Sequence, residues 1–185
     1  MTEPLSPIEH LIEQNLLDTW PRAYSAGVNE VATATIKKTP EDFVVSEILG
    51  FEPSGEGEHV LLWIEKAGFN SEYLAKKIAK LAGVKPFDVG YCGMKDRHAV
   101  TRQWYSVHLP GKPAPDWRHL EGTTLKVLRA ERHNKKLKRG IHEGNHFEII
   151  LRDIQGDKAH IETLLLKTKE QGTPNYFGPQ RFGKE

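Results

Sequence analysis

Along the first half of this 185-residue chain the apolar positions change period. Ile8, Leu11, Ile12 and Leu16 recur at the spacing of one helix face. Ser6-Pro7-Ile8-Glu9 ahead of them has the form of a capping box with proline at the first helical position, so a short amphipathic N-terminal helix is expected. From Val31 the period shortens. Stretches 31–36, 42–48 and 59–64 are rich in β-branched and apolar residues, separated by Lys38-Thr39-Pro40 and by the Gly, Pro and Glu residues of 52–58; they read as strands. The helical period then returns. Asn70 is placed to cap a helix that turns Tyr73, Leu74, Ile78 and Leu81 inward, with Gly83 as its stop and Pro86 just beyond.

The second half alternates again. A brief strand at 87–92 leads into the loop Gly93–Asp96, followed by strands at 103–109, 124–130 and 146–151, with Pro110, Pro113 and Pro115 marking a surface turn. Asp157 can cap a last helix through Ile161, Leu164 and Leu165, ending near Gly172. Strands and helices follow one another without strict βαβ alternation, so the expected class is α+β, a mixed and largely antiparallel sheet with packed helices.

Composition narrows the setting. Apolar residues make up 38% and charged residues 28% of the chain, enough for one good core. No apolar run approaches the roughly 20 residues that cross a bilayer, and no basic start precedes an apolar stretch; neither membrane nor secretion is expected, and the default is cytoplasmic. The single cysteine, Cys92, cannot form an internal disulfide or a cysteine-rich metal site, and is expected as a buried filler. Net charge is only +1, but residues 1–60 hold 11 acidic against 3 basic residues and the remainder 23 basic against 14 acidic. The densest cationic stretch, 126–139, includes Arg132, Lys135, Lys136, Lys138 and Arg139, a candidate surface for a polyanion backbone.

Two segments carry candidate chemistry. Gly93-x-Lys95-Asp96-x-x-Ala99-x-Thr101-x-Gln103 gathers a carboxylate, a cation and hydrogen-bonding side chains on a connection between strands, beside a glycine that permits a sharp backbone path. An aspartate with an ordinary pKa of about 3.9 is ionised at neutral pH and can act as a nucleophile without a separate base. The second segment, His142-Glu143-Gly144-Asn145-His146, satisfies the zinc-hydrolase pattern His-Glu-x-x-His. That pattern needs a helix to aim both imidazoles at one metal. Here Gly140 and Gly144 interrupt the segment and a strand pattern begins at once, so no metal is expected and a zinc hydrolase through His142 and His146 stays a remote alternative.

Several segments, in order, resemble the TruD family of tRNA pseudouridine synthases. They are Lys37-Lys38-Thr39-Pro40-Glu41-Asp42-Phe43-Val44-Val45, Gly55-Glu56-Gly57-Glu58-His59, the Gly93–Gln103 pattern, Gly144-Asn145-His146-Phe147 and Asn175-Tyr176-Phe177-Gly178-x-Gln180-Arg181-Phe182-Gly183. The resemblance implies cofactor-free isomerisation of a uridine in tRNA, at position 13 in this family, through a covalent aspartate adduct at the sugar or the base. Asp96 matches that aspartate.

It further implies a base pocket built from Phe43 as platform and Asn145 as reader of the uracil edge, with Phe147 and Lys95 beside them. Lys37 and Glu41 are expected as a supporting ion pair, and the basic stretch as the contact for the tRNA backbone. The implied organisation is an N-terminal helical extension over 1–30, part of a pseudouridine synthase catalytic domain over 31–171, and the start of an inserted domain over 172–185. On this reading the chain is the N-terminal portion of a longer, monomeric enzyme whose catalytic domain is incomplete here. A non-catalytic RNA-binding fragment of such an enzyme is the alternative.

Overall fold

The computed structural model describes residues 32–172, so the capping-box segment at 6–16 and the motif at 175–183 lie outside the described residues. The chain divides into two units, one spanning Thr35–Arg152 and the other taking in the described residues 32–34 and 153–172. In the second unit, strand β1 (Ala32–Thr35) pairs with β8 (Arg152–Gly156), and helix α2 (Lys158–Gln171) follows, its Asp157 side chain accepting from the Ala159 N–H.

The larger unit is built on one six-stranded sheet. Its strands are β2 (Phe43–Ile48), β3 (His59–Lys66), β4 (Val89–Tyr91), β5 (Val100–His108), β6 (Leu125–His133) and β7 (Gly144–Ile149), in the order β6-β3-β5-β2-β7 with β4 also paired to β5. Every pairing in it is antiparallel except β2 with β5. The mixed, largely antiparallel α+β class is therefore observed. β6 runs on to His133 because β3 offers partners that far, His59 lying opposite His133.

Helix α1 (Ser71–Ala82) covers one face of β3 and β5. The Asn70 side chain accepts from the Tyr73 N–H at 2.7 Å, and Gly83 closes the helix in the left-handed conformation, as the spacing predicts. Leu74, Ala75, Ile78 and Ala79 pack against Leu62, Ile64, Tyr105 and Val107. Each fully buried Leu or Ile contributes about 1.5–3 kcal/mol of transfer free energy. Tyr73 departs from the expected inward set: it is 53% exposed, because the inward stripe falls on positions 74, 75, 78 and 79.

One feature of the sheet places the site. β2 pairs with β5 from Val44 opposite Val100 to Ser46 opposite Arg102, whereas β4 takes the same edge of β5 further on, from Tyr91 opposite Tyr105 to Val89 opposite Val107. Two strands thus share one edge in succession. Between them the Trp104 N–H has no strand neighbour and donates instead to a carboxylate oxygen of Glu47 at 3.2 Å. The segment 134–143 then crosses β4 closely enough that a Cβ at Gly90 would fall 2.2 Å from the Leu137 carbonyl oxygen. Backbone bonds from Gly140 N to Cys92 O (2.8 Å) and from Glu143 N to Ile48 O (2.9 Å) hold it there.

Candidate active site

The loop from Gly93 to Ala99 leaves the end of β4 and enters β5, and the residues that follow it in sequence are the ones that brace it. Gln103 Nε2 donates to Gly93 O at 2.6 Å, while its Oε1 accepts from Ser71 Oγ at 2.7 Å and from the Tyr105 hydroxyl at 2.9 Å. Ser71 Oγ in turn accepts from Lys95 N at 3.0 Å. Gln103, Ser71 and Tyr105 are all buried, so each lost bond would leave a polar group without water. A fully bonded network of this kind fixes the backbone that presents Asp96.

Asp96 itself faces solvent, its side chain 45% exposed. Its Oδ2 lies 2.6 Å from Lys37 Nζ, and the same ammonium stands 4.1 Å from the centre of the Phe43 ring. Lys37 reaches this position from a left-handed backbone conformation, φ 55°, which a non-glycine residue adopts at a cost. Phe43 meets Phe147 edge to face, ring centres 6.0 Å apart, and Phe147 is 53% exposed. Carboxylate, cation and two aromatic rings are thus contiguous.

Lys95 turns the other way. Its ammonium is 2.7 Å from Glu47 Oε2, and the two side chains are 6% and 0% exposed, so the expected neighbour of the base pocket is spent on a buried ion pair. Glu47 carries a disproportionate share of the local order. It holds Lys95 with one oxygen and the Trp104 N–H with the other. Burial, reinforced by the Glu47 charge, pushes the Cys92 thiol up to about 12. Donor atoms of Glu47, Cys92 and His142 lie within 4.8 Å of one another, the spacing of a metal site. The trio is a poor ligand set all the same: the carboxylate is already taken by an ammonium and an amide, and the thiol stays protonated.

A second lysine sits beneath the loop. Lys66 is 1% exposed, opposite Thr101 on β5, and donates to Phe69 O at 2.9 Å. Burial pushes its ammonium down to about 8, with the charge of Lys95 adding to the fall and that of Asp96 opposing it. The turn at Gly68 is tied to the site as well: Gly68 N donates to Arg97 O at 3.0 Å and Arg97 Nε to Gly68 O at 3.1 Å.

The remaining expected residues fall into place unevenly. Asn145 lies opposite Glu47 on β7, its amide nitrogen 3.4 Å from His142 Nε2 and its carbonyl oxygen buried without a partner among the described residues. Lys37 pairs with Asp96, which corrects the expected pair with Glu41. The Glu41 carboxylate accepts instead from its own backbone N–H and the Thr39 hydroxyl, bonds that hold its pKa below the usual value, and it borders a cavity of about 350 Å³ shared with Glu65, Lys66 and Val100. In the basic stretch, Arg132 bonds the carbonyls of Gly57, Leu109 and Lys112, and Lys136 bonds that of Phe87. Its exposed cations are Lys126, Arg129, Lys135, Lys138 and Arg139, of which Arg129 is paired with Glu52 and Glu131. His142 precedes β7 while His146 lies within it, 63% exposed, so the two imidazoles have no helix to align them. Glu47, Ser71, Lys66 and Arg97 are the participants sequence reasoning missed. Only a charged residue at a strand's inward position, as at Glu47 and Lys66, hinted at them.

The fold has a counterpart in the crystal structure of a candidate tRNA pseudouridine synthase D from Methanosarcina mazei, with a TM-score of 0.71 and 27% identity over 87% of this chain and 38% of that one. The family model described as tRNA pseudouridine synthase D (TruD) matches residues 23–185, and the chain belongs to that family. Proteins named tRNA pseudouridine synthase D from Methylococcus capsulatus and Cellvibrio japonicus are each 54% identical to it, over 90% and 89% of the chain. A third, from Pseudomonas fluorescens, is 50% identical over 89%. The chain spans about half the length of these relatives, 46%, 49% and 46% respectively.

Proposed function

We propose that this chain carries the nucleophile of an enzyme that isomerises uridine to pseudouridine in tRNA, at position 13, with Asp96 forming the covalent adduct. The observation that carries the reading is the Asp96–Lys37–Phe43 contact. A carboxylate held 2.6 Å from an ammonium is oriented and ready to attack without a general base. When an Asp96 oxygen bonds to C1′, the pair of the breaking glycosidic bond passes to uracil; when it bonds to the base, negative charge also passes to the uracil ring. On either route the carboxylate surrenders its charge, and Lys37 is left facing the anion that forms. No cofactor enters. The exposed Phe147 ring and its neighbour Phe43 suit an unstacked base, and the amide of Asn145 suits a uracil edge. Lys135, Lys138 and Arg139 supply the backbone contact.

The test is incubation of the protein, in its full-length form, with an unmodified tRNA transcript, followed by mass spectrometry after base-specific labelling of pseudouridine. Wild type should convert one uridine, and Asp96→Asn should bind the transcript without converting it. Turnover by Asp96→Asn would overturn the assignment. Binding without turnover by the wild type would favour the non-catalytic RNA-binding reading.

A further inference from the structure

Beside the nucleophile lies a second depression that the isomerisation itself does not use. It has a volume of about 390 Å³ and is lined by Gly68, Phe69, Asn70, Tyr73 and Arg97. The Phe69 and Tyr73 rings are stacked, centres 5.9 Å apart and planes 22° from parallel, and Tyr73 is 53% exposed on a helix whose other large apolar residues turn inward or halfway so. Lys77 places its ammonium 5.4 Å from the centre of the Phe69 ring. Arg97 spends only Nε on the protein, donating to Gly68 O, so its two terminal amino groups have no partner among the described residues. Asn70 uses its side-chain oxygen as the cap of α1, and its amide nitrogen is likewise unpartnered among the described residues.

We propose that this depression is the subsite for a nucleotide adjacent to the reacting uridine, its base stacked on Tyr73 and its phosphate held by Arg97. The inference rests on the reading of Asp96 as acting on RNA and adds to it where the neighbouring nucleotide goes. Aromatic faces flanked by cations are the combination that single-stranded nucleic acid needs, since bases stack without regard to sequence and the cations follow the backbone. An acidic peptide would use the cations and leave the stacked pair idle. The position also fits. Arg97 follows Asp96 directly, and the two bonds between Arg97 and Gly68 make the subsite part of the loop that presents the nucleophile. A uridine extruded toward Asp96 has lost its stacking on both sides, and a ring offered to its neighbour replaces part of that loss.

Equilibrium binding of a fluorescent unmodified tRNA transcript to the full-length protein, measured over a series of salt concentrations, decides the matter. Tyr73→Ala should weaken binding by about 5- to 100-fold with the slope of log K against log salt unchanged, and Tyr73→Phe should restore wild-type affinity. Arg97→Gln should reduce that slope by about 0.7–0.9, the loss of one phosphate contact. Alanine is favoured on an exposed helix position, so Tyr73→Ala should fold; if its unfolding midpoint drops, Arg97→Gln alone carries the decision. Wild-type affinity in Tyr73→Ala, or an unchanged slope in Arg97→Gln, would overturn the subsite and leave the reading of Asp96 standing. Failure of the wild type to bind the transcript would overturn both.

Discussion

Lys66 allows the cost of the site to be measured. Its ammonium is buried with a single acceptor, Phe69 O, among the described residues and is pushed down to about 8 from 10.5. Between those two values the unfolded chain binds a proton that the folded chain does not, so the free energy of unfolding rises with pH through that window. Below about pH 8 both states are protonated, and the folded state bears the full cost of the buried charge. A shift of that size at 1.36 kcal/mol per pKa unit corresponds to about 3 kcal/mol. Lys66→Met keeps the shape and removes the charge, losing the bond to Phe69 O at a cost of about 1 kcal/mol. The variant should therefore be more stable than wild type by about 2 kcal/mol at pH 7. The advantage should be all but gone by pH 10, as the wild-type lysine deprotonates on folding. Urea unfolding of both proteins at the two pH values measures the difference, and other titrating groups cancel in it. A gap that stays constant from pH 7 to pH 10 would show that Lys66 is not the strained group described here.

Three further outcomes follow from the same geometry. Glu47→Gln deprives the buried Lys95 ammonium of its carboxylate and should destabilise the protein by about 3–5 kcal/mol, read from denaturant midpoints; a loss under 1 kcal/mol would mean that the pair is not the anchor of the loop. Gly90→Ala drives a methyl into the Leu137 carbonyl, and should cost about 1–3 kcal/mol and expose the 134–143 segment to protease; wild-type digestion rates would contradict that. Cys92, buried and with its thiol pushed up to about 12, should resist iodoacetamide at pH 8 in the native state and react fully in denaturant, as mass spectrometry of the intact protein would record.

The elements were legible where local chemistry decides them. Asn70 and Gly83 mark α1 to the residue, because a cap needs only its own helix end. The Gly93–Asp96 loop was legible as a strand connection for the same reason. What escaped depends on chain segments far apart. β8 forms because β1 lies beside it, and nothing in Arg152–Gly156 alone announces a strand. Lys37 and Glu41 look like partners at i and i+4, yet the left-handed turn at Lys37 sends its ammonium to Asp96, 59 positions away. Lys95 sits next to Asp96 in sequence and points away from it, into a pair with a residue 48 positions distant. In the basic stretch, charge was visible and occupancy was not: Arg132 and Lys136 are spent on backbone carbonyls.

The shared edge of β5 has a bearing on how this site can change over time. Asp96 is located by the splice where β2 gives way to β4, with Glu47, Gln103 and Ser71 holding the loop through its backbone and through the Lys95 side chain. Met94 and His98 are exposed and take no part in the bracing, so the loop surface around Asp96 is open to substitution while Asp96 stays put. Substitution can thus retune the surface of the loop without disturbing the buried bonds that hold Asp96 in place.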